Sequence, residues 1–364
     1  MGKKLAILLV ALSAVSAISS GFVAMGMRAY SNYQQNSLAS QEHCGGQSPV
    51  HICVVTPLDV FSAYYPYYLA THTPQFFVKY SSGSPQALIL SLSVIGFSQA
   101  ETHTVNATSA TQMQGFIPVP LNSAIRKLTT DAQTSVSVRV TDTRGRLYYF
   151  NDSPLLLHSH KLMQWVGANR LKIAAWVTPD DPAVKSLVAK AVALLPNEPT
   201  PAPAAMIGYA DHADARAVRD QVDAIFDALR VDYHMRYLQQ VVSYGGPGDT
   251  SVSLQNIDLP AESLQQGSGM CIELTVLMAS AVEQIGLHAE IVITSYGHAY
   301  LGVATTPDNS SYEYWDPSEV NANVAGDSAN VATDQTYTHD EASHLIIDTI
   351  VISAARAASI VPMV

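Results

Sequence analysis

Three residues of the 364-residue chain have types and an order that suit nucleophilic catalysis: the thiol of Cys271, the imidazole of His298 and the carboxylate of Asp316. A thiolate attacks a carbonyl carbon, an imidazole takes and returns the proton, and a carboxylate fixes the imidazole tautomer and stabilises its charged form. The intervals are 27 residues from 271 to 298 and 18 from 298 to 316. The first is long enough for a helix and a strand, and the second for a hairpin, so the three side chains can converge.

The flanking patterns supply those elements. Met270, Ile272, Leu274, Leu277, Met278, Ala281, Val282 and Ile285 recur at helical spacing, and Gly286 suits the position that ends a helix. Cys271 then falls in the first turn of a buried helix, where unpaired N–H groups and the positive dipole end favour a thiolate. Residues 287–294, with Ile291, Val292 and Ile293, have the composition of a core strand ending at the turn Ser295-Tyr296-Gly297. His298 opens a second strand over 299–304. After the turn cluster 307–311, a third strand over 312–315 carries Asp316 to the edge beside His298.

Taken together, Gly269-Met270-Cys271, Ile285-Gly286-Leu287-His288-Ala289, Gly297-His298-Ala299-Tyr300 and Trp315-Asp316-Pro317 resemble the motif blocks of the transglutaminase-like branch of the papain-like cysteine enzymes, in the same order. Residues 255–264 are similar to the lead-in of bacterial members, and the resemblance covers about residues 235 to 320. It implies Cys271 as nucleophile, His298 as general base and acid, and Asp316 as its orienter. Members include transglutaminases, peptidases or amidases, and inactive relatives, among which the shared triad does not choose. Met270 and Glu273 depart from the residues usual at those positions, which bears on substrate preference. For the oxyanion, the Cys271 N–H is one donor, and Gln255, Gln265 and Gln266 are candidates for the second. The papain-like pattern favours Gln265, whereas the transglutaminase pattern of an aromatic helper further upstream brings in Tyr237 and Tyr244.

Of the three cysteines, Cys44 and Cys53 flank a short Pro-containing segment. A bridge between them closes a loop worth about 2.5–3 kcal/mol in the chain-entropy model and leaves Cys271 as the odd thiol. Lys3 and Lys4 precede an apolar run from Leu5 to Met27, which predicts a signal peptide or an uncleaved signal anchor over 1–28 with an extracytoplasmic bulk. A net charge of −11 with only 13% charged residues, and no basic cluster, argues against nucleic-acid binding.

The expected organisation is a multidomain α+β chain. It comprises the N-terminal membrane anchor, a tether over 29–74, an immunoglobulin-like β-sandwich over 75–162, a helical linker region over 163–232 and a transglutaminase-like domain over 233–364. Strands are expected at 76–78, 87–94, 116–119, 136–140 and 147–150, and helices begin at Asp181-Pro182 and Asp214. A Pro/Ala linker falls at 196–203, a long loop at 321–335 and a last strand within 338–352. His158 and His160 fall on one strand face without an evident third zinc ligand, and Asp211, His212 and Asp214 fit a helix start better than a metal cluster. Asn106, Asn151 and Asn309 match glycosylation sequons. No cofactor or metal is expected. The anticipated activity is acyl transfer or hydrolysis at a peptide or amide bond of a peptide or protein substrate through a thioester. The competing expectation is a non-catalytic scaffold that binds a peptide or surface polymer.

Overall fold

Period-two burial builds the first half of the chain. Leu88, Leu90, Leu92 and Val94 alternate with partly exposed neighbours, as do Val136, Val138 and Val140, so each strand turns one apolar face inward. The computed structural model describes residues 40–167, 169–195, 205–210, 214–240, 244, 253–322 and 324–363. The chain divides between Ser159 and His160 into two units of mixed α and β structure. The apolar run from Leu5 and the Pro/Ala linker lie outside the described residues, as do Asp211 and His212. Among those described, no helix is long and apolar enough to cross a membrane.

The first unit contains β1 (Ser40–Gly45), β2 (Val50–Pro57), β3 (Asp59–Phe61), helix α1 (Tyr65–Ala70), β4 (Phe76–Ser82), β5 (Gln86–Val94), β6 (Glu101–Ala107), β7 (Gln112–Phe116), α2 (Ala124–Lys127), β8 (Ala132–Asp142) and β9 (Leu147–His158). They form a four-stranded sheet, β1-β2-β4-β7, and a five-stranded sheet, β3-β9-β8-β5-β6. The described part of the expected tether is therefore ordered structure, three strands followed by α1. Residues 40–57 make an antiparallel hairpin, and Val50, Ile52 and Val54 of β2 are buried. The strand expected over 116–119 ends at Phe116, because Pro118 and Pro120 have no N–H to continue a ladder.

Cys44 and Cys53 stand directly opposite each other on β1 and β2 and form a disulfide. Replacing both with alanine is expected to destabilise the first unit by about 2.5–3 kcal/mol through the freed loop of the unfolded chain. Urea unfolding monitored on this unit checks it; an unchanged midpoint would mean that the β1–β2 ladder holds without the bridge.

The second unit contains β10 (Leu162–Trp165), a 3-10 turn (Arg170–Trp176), α3 (Pro182–Val192), α4 (Ala215–Val231), β11 (Arg236–Tyr237), β12 (Ser253–Asn256), α5 (Pro260–Gln266), β13 (Ser268–Gly269), α6 (Cys271–Gln284), β14 (Ala289–Thr294), β15 (Ala299–Ala304), β16 (Tyr312–Trp315), a second 3-10 turn (Pro317–Ala322), α7 (Gly326–Ala342), β17 (Ile346–Val351) and α8 (Ile352–Ala357). Its main sheet runs β16-β15-β14-β17, antiparallel throughout. Every residue of β14 and β15 is buried, and α6 packs on both strands. Asp214 caps α4 by accepting from the Ala217 N–H at 2.9 Å.

The region expected to be a helical linker is integral to this unit. Val184 and Leu187 of α3 and Val218, Val222, Ile225 and Phe226 of α4 are fully buried, and both helices pack on α6. The expected loop over 321–335 is largely α7, which continues through the start of the predicted last strand, so that β17 begins only at Ile346. No apolar stripe marks α7. It is held through polar side chains that pair the backbone of edge strand β16: Asp334 accepts from the Tyr314 N–H at 2.8 Å, Asn330 donates to the Tyr314 carbonyl at 3.1 Å, and Thr333 Oγ1 accepts from the Asp316 N–H at 2.9 Å.

Candidate active site

The thiol is set by the start of α6. Cys271 is its first residue, and Glu273 bonds backward: its carboxylate accepts from the Met270 N–H at 2.8 Å and from the Asp258 N–H at 3.0 Å. This satisfies two donors ahead of the helix and fixes the angle at which the chain enters it. At the other end, Gly286 at φ 83° terminates the helix as its position in the sequence implies. Cys271 is 1% exposed.

The imidazole comes from the β14–β15 hairpin. Gly297 takes a φ of 80° in the turn, and Thr294 grips the next residue twice. Its N–H donates to the His298 carbonyl at 2.9 Å, and its Oγ1 accepts from the His298 N–H at 3.0 Å. The carboxylate sits where β16 ends. Asp316 Oδ2 is 2.6 Å from His298 Nε2, and Oδ1 accepts from the Ser318 N–H at 2.9 Å. One residue earlier, Trp315 Nε1 donates at 2.8 Å to Asp223 on α4, whose carboxyl is pushed up to about 8 mainly by burial. That bond ties the strand end carrying Asp316 to the helical layer.

Nε2 of the ring is engaged by Asp316, and His298 and Cys271 are near enough that each moves the other's titration. Burial pushes the thiol up. The hydrogen bond and charge of His298, the Tyr244 hydroxyl and the Ala299 N–H outweigh it, leaving Cys271 below its ordinary value. Burial likewise works against the imidazolium, but its bonds to Asp316 and Cys271 and their charges raise His298 to about 10. Both shifts run in the direction of a thiolate–imidazolium pair.

The structure brings Cys271, His298 and Asp316 together but does not place Gln265 with them. Gln265 is exposed on α5, and Gln266 donates to Asp258. The group at the thiol is Tyr244, with Oη 3.4 Å from Cys271 Sγ. Behind it stand Trp165, edge-on to the Tyr244 ring at 5.0 Å, and Gln255, whose Oε1 accepts from Trp165 Nε1 at 2.8 Å. That bond fixes the Gln255 amide. Its Nε2 is buried without a hydrogen-bond partner, and burial first and then the Cys271 charge push the Tyr244 hydroxyl well above its ordinary value, so Oη keeps its proton. Tyr237 is raised to about 12, by burial first and then by the charges of Cys271 and Asp316, so it too borders the site.

The two histidines considered for zinc diverge. His158 donates to Asp131 at 2.8 Å and to Asp59 at 3.3 Å, whereas His160 bonds Glu262 at 3.2 Å. Among the described residues, Cys44, His51 and Cys53 are grouped closely enough to hold a metal ion, with their ligand atoms within 4.8 Å of one another. The disulfide removes both thiols from that chemistry. Sequence reasoning did not single out Thr275 or Trp165. Thr275, four residues after Cys271 on the same helix face, carried a usable signal; Trp165 carried none. No protein-family model matches the chain, and no curated protein matches it in sequence.

Proposed function

We propose that the second unit is a cysteine-dependent acyl-transfer domain of the transglutaminase-like type, acting on a peptide or amide carbonyl. The observation that carries the reading is the convergence of three residues far apart in the chain: His298 Nε2 lies 2.6 Å from Asp316 Oδ2, and the same imidazole lowers the titration of the buried Cys271 thiol at the start of α6. In the reaction the thiolate forms a bond to the carbonyl carbon, and the carbonyl electron pair moves onto oxygen. His298 then donates its proton to the departing amine, and the C–N bond breaks to leave a thioester. Water or a second amine, deprotonated by His298, attacks that thioester; the C–S bond breaks to release the acid or the new amide, and the Cys271 thiolate and protonated His298 are restored. The Cys271 N–H at the helix start is one oxyanion donor. Tyr244 Oη, backed by Gln255 Nε2, is the second in place of Gln265. The sheets of the first unit are assigned to an immunoglobulin-like module that binds or spaces, and the apolar run after Lys3-Lys4 to an export signal or anchor. The protein then works outside the cytoplasm.

Hydroxylamine is a nucleophile that converts any enzyme-bound thioester to a hydroxamate. Incubation of the protein with a pool of glutamine- and asparagine-containing peptides and hydroxylamine is expected to yield peptide hydroxamates. Acid quenching without hydroxylamine is expected to leave an acyl mass on Cys271. A non-catalytic scaffold that binds a peptide is favoured by the burial of the thiol. That reading prevails if a broad peptide pool gives neither hydroxamate nor acyl adduct while still being retained by the protein.

A further inference from the structure

In an antiparallel ladder, bonded and non-bonded pairs alternate. The Thr294 N–H donates to the His298 carbonyl, so the next pair, Ile293 with Ala299, is non-bonded, and both polar backbone groups of Ala299 face away from β14. On that side β16 would have to receive them. Its ladder with β15 begins only at Leu301 with Trp315, because the chain turns off at Asp316 and Pro317 into the 3-10 turn. The end of β15 nearest His298 is therefore left without a strand partner, and the first turn of α6 takes its place. The Ala299 N–H is near enough to Cys271 to help hold the thiol below its ordinary value. The Ala299 carbonyl lies 3.2 Å from the hydroxyl of Thr275, which also reaches the Cys271 carbonyl at 2.8 Å. Thr275 is fully buried.

We propose that Thr275 is a positioning residue for the nucleophile. Its hydroxyl clamps the first turn of α6 to the unpaired end of β15, so that Cys271 Sγ is held between the His298 ring and the Ala299 N–H. The inference rests on Cys271 being the nucleophile. A threonine in a helix ordinarily bonds back to the carbonyl four residues earlier and stops there. Here the same hydroxyl spans to the strand that begins one residue after His298, so it joins the two elements whose separation sets the thiol–imidazole distance. Without it the Ala299 carbonyl loses a buried partner, and the tie that remains between the Cys271 turn and β15 is the Ala299 N–H beside the thiol.

The test is the pH profile of iodoacetamide alkylation at Cys271 in the disulfide-intact protein, where it is the free thiol, for wild type, Thr275→Val and Thr275→Ser. Circular dichroism and thermal unfolding of each variant report on the fold. Valine keeps the shape and removes the hydroxyl. It is expected to move the profile up by about one pH unit and so to slow alkylation about tenfold at pH values below the thiol's pKa. Serine, which restores the hydroxyl, is expected to stay within about twofold of wild type. Should the valine variant not fold, Thr275→Ala removes the same hydroxyl without the bulk and is read in its place. A folded hydroxyl-less variant with the wild-type profile, or a serine variant as impaired as valine, overturns the clamp alone. An ordinary cysteine profile in the wild-type protein overturns the nucleophile reading and the clamp with it.

Discussion

Cys271→Ser is expected to leave the fold intact and to lower hydroxamate formation by on the order of 10⁴-fold or more, because a hydroxyl at this position is far less ionised than the thiol. His298→Ala is expected to be nearly as damaging, and the double variant no worse than the worse single one, since the two groups act as a unit. Asp316→Ala removes the orienting acceptor at 2.6 Å and should cost less, on the order of 10²-fold. The pH dependence separates chemistry from mere folding. Turnover needs both the thiolate and the imidazolium. It should rise through the depressed thiol pKa and fall as His298 loses its proton near about 10. In His298→Ala, burial is no longer opposed by the imidazole, so the alkylation profile of Cys271 should move up toward or beyond that of an ordinary cysteine. Equal alkylation profiles for wild type and His298→Ala would show that the two side chains are not coupled.

Glu273→Ala should produce the largest stability loss among variants next to the site, about 3 kcal/mol. The carboxylate accepts from the Met270 and Asp258 N–H groups, and its removal strands one buried donor and one half-buried donor at the helix entry. Burial pushes the Glu273 carboxyl up, so part of the loss is offset by no longer desolvating that group, but the two N–H groups cannot find water without the α6 entry opening. Glu273→Gln keeps one acceptor oxygen and should lose about half as much. Urea unfolding of the second unit measures both. An alanine variant within about 0.5 kcal/mol of wild type would mean that the helix entry is held by other contacts. An aspartate, one methylene shorter, has less reach to span both donors, which gives the glutamate at 273 a structural reason.

Locally periodic features are legible in the amino-acid sequence. The apolar repeat from Met270 to Ile285 and the stop at Gly286 define α6, and the strand-turn-strand pattern over 287–304 defines β14 and β15 with His298 at their turn. The Trp315-Asp316-Pro317 block ends β16 as its proline requires, and the spacing of Cys44 and Cys53 allows their bridge. These features follow from burial and backbone sterics, which act over a few residues and leave a period or a punctuation mark in the chain. What only the tertiary structure decided involves polar partners far apart in sequence. Tyr244 rather than Gln265 reaches the thiol, because β10 pairs with β12 and sets Trp165 against Gln255 across 90 residues. Helix α7 leaves no periodic mark because it is held by Asn330, Thr333 and Asp334 bonding to the backbone of β16, together with the Tyr337 ring stacked on Tyr314 at 3.7 Å. The β1–β2 hairpin has the pattern of a tether because only the inward face of β2 is apolar and β1 is an edge strand. Thr275 acquires its second acceptor only because β16 stops short of Ala299, which is a matter of ladder register between strands and has no counterpart in the local sequence.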